Sequence, residues 1–456
     1  MTEQLSRIQQ KIAQAKASDK DFEVFGAEGH QYHLNPPASE AEILAFEQKY
    51  AISLPECYRS FMRTIGDSTA QKQDNIAGPY YGLYAFGTQT DEFVYEGAEE
   101  YLKAPCLLSP TMTDAQWEAL TDKLLSEEGD FDEEENTIEV EDDYFAERGK
   151  VFGGLLPLGS QGCTYFHALV LNGDYAGRVV NVDIDLRCPK FAFEANFLDW
   201  YERYLDEVIS GQLIDDRPTW FGYYRGEAPE ALLYEYTQTT DRDTQTDCLE
   251  GVYHKKAPLP EAVLNQIESL IALNNEDKIF LIEILAQSSY ERARPYLQSL
   301  VNEKPKEVFQ YVYWYAKDHY AEWVPIVKEL LPTITDESTL DFATYLLTES
   351  ESEGWETFIL PFTDNENPNI RITAYYTLGQ SEKRELFLDT FIKGLQETDN
   401  NVLRTAMQAL RGITDERLLP YYKQIAKRFP KEKDYILSNL QYLLEPFGLT
   451  VKQARK

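Results

Sequence analysis

GCTYFHALVLNGDYAGRVVNVDIDLR, residues 162–187, holds two strand-like runs around a tight turn, and its reading decides the fold class of the first half of the chain. Asn172-Gly173 suits the positive backbone angles of a hairpin, and Gly177 marks a second bend. The second run alternates. Val180, Val182, Ile184 and Leu186 fall on one face, and Asn181, Asp183, Asp185 and Arg187 on the other, the period of a sheet with one polar face. Downstream, Phe197, Tyr201, Tyr204, Leu205 and Val208 recur at helical spacing until Gly211, so the hairpin leads into an amphipathic helix.

Upstream, Ser39 and Glu42 make an S-x-x-E capping box before Ile43, Phe46 and Tyr50, which predicts a helix from about residue 40. In ISLPECYRSFMRTIG, Pro55 sits where a first helical turn tolerates it. Tyr58, Phe61, Met62 and Ile65 then follow at helical spacing up to Gly66. GPYYGLY, residues 78–84, has glycines four positions apart, but a phosphate-binding loop needs four intervening residues and then a lysine and a hydroxyl. Three intervene here, Leu83 follows, and Pro79 removes an amide, so the segment reads as a turn opening an aromatic strand. Helices, an antiparallel sheet and a closing helix make an α+β domain over residues 1–211.

The order of these pieces resembles the SUKH superfamily, which includes the fungal Smi/Knr-type cell-wall regulators. The S-x-x-E helix, the L-P-x-x-Y-R-x-F helix, G-P-x-Y-G-L-Y, L-P-L-G-S, T-Y-F-H-A-L-V and the F-x-x-W helix follow one another over residues 36–211. The resemblance implies that GPYYGLY is mainly structural. It also implies binding rather than catalysis: bacterial members are similar in kind to immunity proteins that neutralise a cognate toxin, often a nuclease, and others act as signalling scaffolds.

The second half has another period. Ile370, Ala374 and Leu378 recur as Val402, Ala406 and Leu410, and steps back of 31 from Ala374 and Leu378 reach Ala343 and Leu347, then Val312 and Ala316. Such a period predicts stacked helix pairs over residues 259–450, an all-α solenoid similar to HEAT repeats though shorter in its repeat. Tyr311, Tyr313, Trp314 and Tyr315 are too dense for one buried helix face, so part of that run is expected at the surface or against the first domain. Residues 212–258, rich in Asp, Thr and Gln and containing RPTWFGYYRG, read as a linker whose aromatic segment docks.

The net charge of −35 lies unevenly: residues 1–212 hold 16 Lys and Arg against 39 Asp and Glu, the remainder 27 against 39. Such a surface repels nucleic acid and steers basic partners, so the expected partner is a basic protein such as a toxin, with no nucleic acid and no membrane. Five separated cysteines without a CxxC pair, the absence of a signal-peptide pattern at the first residues and of any long apolar run predict a reduced, cytoplasmic protein.

Candidate chemistry is sparse. SEEGDFDEEENTIEVEDD, residues 126–143, has eleven acids and no base. As a calcium loop it would use Asp130, Asp132, Glu134 and Glu141, but Glu135 stands where the turn needs glycine. It reads as a solvated acidic loop, and Glu133, Glu134, Glu135, Asp142 and Asp143 are the candidates for facing a basic partner. Around Ser160, Leu158 replaces a glycine that a nucleophile elbow requires. His30, His33, His167, His254 and His319 form no metal-binding or acid–base pattern, and Asp183 and Asp185 are explained by their strand's polar face as well as by a shared cation. No catalytic residue, metal or cofactor is expected. A scaffold acting through the solenoid and a carboxylate hydrolase near residues 130–143 or 183–185 stand as alternatives.

Overall fold

The computed structural model describes the chain except residues 67–73, 95–96, 127–130, 133–136, 139–141, 215–219, 274–275, 351 and 430–434, and the side chains of 125–126, 131–132, 137–138 and 142–143. It divides into two compact units, Met1–Lys256 and Ala257–Lys456.

The first unit is built on an antiparallel meander of β5 (Leu155–Gly162), β6 (Tyr165–Val170), β7 (Val179–Asp183) and β8 (Lys190–Phe191), in that spatial order. Two shorter ladders precede it in sequence: β1 (Asn75–Ile76) pairs with β2 (Leu83–Tyr84), and β3 (Phe131–Asp132) with β4 (Thr137–Ile138). The pairings Phe166↔Val182 and Ala168↔Val180 put apolar side chains on one face of the meander, against Trp117, Leu124, Val151 and Phe152 from helices Asp114–Ser126 and Asp142–Val151 and the turn after them. The opposite face meets helices Thr2–Ser18, Glu40–Tyr50, Glu56–Thr64 and Phe197–Ile209 through Ile8, Ile43, Phe61 and Tyr201. A sheet with both faces covered must bury both sets of alternating side chains.

The N-terminal helices form for the reasons legible in sequence. Ser39 Oγ accepts from the Glu42 amide at 3.3 Å while Glu42 Oε2 accepts from the Ser39 amide at 2.7 Å, and Pro55 stands at the start of Glu56–Thr64. GPYYGLY is a turn, with only Leu83 and Tyr84 in a strand. Gly82 has φ +94°, and a Cβ there would lie 2.3 Å from the Ile76 carbonyl oxygen. Gly82→Ala therefore strains both backbone and packing. It is expected to cost about 2 kcal/mol, read as a fall of several degrees in the thermal midpoint; an unchanged midpoint would contradict this account of the turn.

Two expectations change. The second hairpin strand ends at Asp183, not beyond it, because Asp183 Oδ1 accepts from the Asp185 amide (2.9 Å) and its carbonyl from the Leu186 amide (3.0 Å), turning the chain with Leu186 at φ +67°. Residues 212–258, read as a linker, contain helices Pro229–Gln238 and Arg242–Tyr253, and the compact unit runs on to Lys256. Pro229 at a helix start, and Asp241 accepting from the Thr244 amide at 2.9 Å, are ordinary start signals.

The second unit is all-helical. Helices Lys278–Ser288, Pro305–Tyr315, Glu337–Glu349, Pro368–Gly379, Asn400–Ala409 and Tyr435–Leu444 pack successively against one another as one layer. Helices Glu261–Ala272, Tyr290–Leu300, Tyr320–Leu330, Leu388–Gly394 and Leu419–Arg428 alternate with them along the chain and pack beside them. The repeat positions named from sequence, Val312, Ala343, Leu347, Ile370, Ala374, Leu378, Val402, Ala406 and Leu410, are all buried. Small residues let the helices close up: a Cβ on Gly394 would lie 2.6 Å from the Ala406 Cβ and 2.9 Å from the Tyr375 ring. Ile436, Leu440 and Leu444 continue the pattern, also buried.

Candidate functional site

The polar face of β7 is not solvated. It forms a closed polar centre under helix Phe197–Ile209 and the segment 220–226. His167 on β6 stands directly opposite Asn181 on β7, and Gln161, left without a ladder partner where the β5–β6 register shifts between Ser160 and Gly162, turns its side chain to both. Gln161 Nε2 donates to Asn181 Oδ1 (2.8 Å), His167 Nδ1 lies 3.1 Å from that oxygen and 3.0 Å from Gln161 Nε2, and Tyr223 Oη donates to Gln161 Oε1 (3.0 Å). Asn181 Nδ2 donates to the carbonyls of Lys190 (3.1 Å) and Gly222 (3.2 Å). The network thereby pins the aromatic segment that the sequence read as docking: Phe221 is buried 5.7 Å from Trp200, and Gly222 lies close against the Trp200 indole and the Asn181 amide.

Rings seal the centre. His167 is fully buried, 5.2 Å from Tyr80 and 5.0 Å from Trp200. Burial lowers its pKa to about 3, against a smaller upward pull from Asn181, so the imidazole is neutral at physiological pH. Its Nε2 and the Trp200 Nε1 find no hydrogen-bond partner among the described residues. A neutral ring sealed from water, with one nitrogen engaged by an amide, has neither the access nor the orienting carboxylate of a general base.

The remaining candidates are accounted for singly. Asp183 is buried, receives the Asp185 amide and pairs with Arg187 at 3.5 Å, while Asp185 is exposed; the two do not converge on a shared site. Ser160 Oγ accepts from the Gly162 amide at 3.0 Å. Glu133, Glu134 and Glu135, like Asp130 and Glu141, lie outside the described residues; Asp142 and Asp143 begin helix Asp142–Val151, with side chains outside them too. Among the described residues no group of three His, Cys, Asp or Glu side chains is placed to hold a metal, and no helix is long and apolar enough to cross a membrane. All five cysteines are free thiols.

One small cavity of about 50 Å³ lies beside the polar centre, lined by Arg203, Trp220, Tyr224, Arg225, His254 and Lys255 among others. Its cations are already engaged: Arg203 bonds Glu194 (2.6 Å) and Glu207 (2.7 Å), Arg225 bonds Glu235 (2.8 Å) and Glu227, and Lys255 donates to the Gly226 carbonyl (2.8 Å). A pocket of that size takes a water or two, well short of the roughly 300 Å³ of a small-molecule site.

A capped helix and an L-P helix thus precede a closed antiparallel meander, and the F-x-x-W helix follows it. Residues 37–203 match the SMI1 / KNR4 family (SUKH-1). No curated protein matches the chain. The SUKH-1 match begins just before the capping box and ends within helix Phe197–Ile209, so it contains Gln161, His167, Asn181 and Trp200 but not the segment 220–226 that completes their network. Within the SUKH-1 region the sequence singles out His167 and Asn181 but not Gln161 or its link to Tyr223. His167 and Asn181 share only polarity at paired inward strand positions, and Gln161 joins them through the irregularity in β5 between Ser160 and Gly162, which no sequence pattern marks.

Proposed function

We propose that this chain is a non-catalytic, cytoplasmic protein-binding protein whose first unit captures a basic partner, in the manner of an immunity protein neutralising a cognate toxin such as a nuclease, the kind of toxin that the family resemblance suggests. The SUKH-1 match over residues 37–203 carries this reading, since that family includes immunity proteins and supports a protein-binding role. Two observations add to it. The polar groups inside the SUKH-1 region hold one another and the covering segment, and a net charge of −35, weighted towards residues 1–212, raises encounter rates with cations. The carboxylate-hydrolase reading lacks a convergent pair of acids at residues 183–185.

Affinity capture by the intact chain from its own cells, followed by mass spectrometry, tests the proposal. One stoichiometric basic protein is the expected catch. A catch of signalling proteins alone favours the scaffold, and a stoichiometric metal in the purified chain favours the hydrolase. With the partner in hand, changing Glu133, Glu134 and Glu135 to Gln and Asp142 and Asp143 to Asn should slow association about tenfold at low salt and flatten its salt dependence. Unchanged association kinetics would remove the acidic run from the interface.

A further inference from the structure

The solenoid carries an aromatic column that its packing uses only in part, Tyr345 lying 5.1 Å from Tyr313 while its outer side stays open. Two residues after the buried repeat positions Val312, Ala343 and Ala374 stand Trp314, Tyr345 and Tyr376, the same register in three successive helices of one layer. All three are exposed, at 49%, 36% and 56%, although core positions two residues earlier are fully buried. Phe342 links the first two, 6.0 Å from Trp314 and 5.9 Å from Tyr345. Large aromatics at one outward register, repeated three times, form a continuous surface rather than scattered exposure.

The surroundings select a cation. Asp341 and Glu349 stand one turn before and one turn after Tyr345 on its helix; they accept hydroxyl hydrogen bonds from Thr373 (2.8 Å) and Tyr313 (3.2 Å), and neither is in an ion pair among the described residues. The chain itself shows what fills such a rung. Where the register returns at Tyr442, two residues after buried Leu440, the Arg411 guanidinium lies 5.7 Å from the ring centre. Among the described residues no cation lies over Trp314, Tyr345 or Tyr376, so these three rings repeat the Tyr442 position without its arginine.

The spacing selects a backbone. Packed helices lie about 8–10 Å apart, so successive rungs repeat at about that distance. A polyproline II helix rises about 9 Å per three-residue turn and presents every third side chain on one face. An extended strand, with same-face side chains about 7 Å apart, falls out of step by the third rung.

We propose that the Trp314–Tyr345–Tyr376 column binds a partner segment in the polyproline II conformation with arginine at every third position, each guanidinium stacked on one ring and the central one held between Asp341 and Glu349. This surface belongs to the second unit and is independent of capture by the first.

The test is fluorescence anisotropy of fluorescein-labelled (Pro-Pro-Arg)₄ with the full-length chain, against a peptide of the same composition whose four arginines are contiguous. The spaced peptide should bind at least about tenfold tighter. Trp314→Ala/Tyr345→Ala/Tyr376→Ala should remove about tenfold or more of that affinity with an unchanged circular dichroism spectrum, each single change accounting for about two- to fivefold. Because the triple change leaves the protein's charge intact, binding to the contiguous peptide should shift less than twofold. Equal affinity for the two peptides, or a correctly folded triple variant that binds the spaced peptide normally, would overturn the proposal. If the triple variant unfolds, the single variants decide in its place: a twofold or greater loss in each supports the column, and normal binding by all three overturns it.

Discussion

Trp200→Ala is expected to destabilise the first unit by about 3–5 kcal/mol, the range for removing a fully buried tryptophan. Trp200 has no exposed surface and stands where three features meet: Phe197 one helical turn before it at 5.9 Å, Phe221 of the covering segment at 5.7 Å, and His167 of the sheet at 5.0 Å. The resulting void would lie against Gly222, whose backbone already approaches the indole closely, so collapse has little side chain to draw on. Equilibrium urea unfolding followed by far-ultraviolet circular dichroism measures the loss, and Trp200→Phe, which keeps an aromatic ring, should lose clearly less. A loss under about 1 kcal/mol for Trp200→Ala, far below the usual cost of such a cavity, would mean that the indole does not hold the covering segment to the sheet.

The second large effect is on pH. Burial holds His167 at about 3 and His30 at about 4, against 6.5 for an unfolded histidine, and His30 Nδ1 accepts from the Tyr32 amide at 3.0 Å. Well above pH 6.5 both rings are neutral in either state and neither changes stability with pH. Below it the unfolded chain takes up protons that the fold refuses, so stability falls as pH drops from about 6.5 and continues to fall towards about pH 4. At about pH 5 each ring costs about 2 kcal/mol relative to about pH 7, together about 4 kcal/mol. Urea midpoints at the two pH values check this, and His30→Gln/His167→Gln should lose about 4 kcal/mol of the difference between them, while His254, which burial likewise lowers to about 4, keeps its part of the pH dependence. Equal midpoints for the unaltered chain at the two pH values would contradict the neutral, sealed state of both rings.

Much of the fold is written locally and can be read there. The Ser39–Glu42 box, the helix after Pro55 and the 31- and 32-residue steps are contacts between near neighbours, or repeated contacts of one kind, and each appears where its residues indicate. The polar centre is harder to read because alternation along β7 distinguishes two faces without telling what covers either. Asn181 and Asp183 look solvated in sequence and are buried because helix Phe197–Ile209 and residues 220–226 close over that face. Composition hides the helix Arg242–Tyr253: most of its residues are polar, and only Cys248, Leu249, Gly251 and Val252 are buried, a stripe too short to dominate a charged stretch. The aromatic column is half visible. The density of aromatics near Trp314 points to exposure, but only the repeat register aligns Trp314 with Tyr345 and Tyr376.

Capture of the basic partner by the first unit is tested most directly by isothermal titration of that partner into the intact chain and, separately, into Met1–Lys256 and Ala257–Lys456, the two compact units. Met1–Lys256 should bind within about threefold of the intact chain's affinity, and that affinity should weaken steeply as salt rises past about 0.1 M, where screening shortens the reach of surface charge. Full retention of the partner by Ala257–Lys456, with none by Met1–Lys256, would contradict capture by the first unit and assign it to the solenoid.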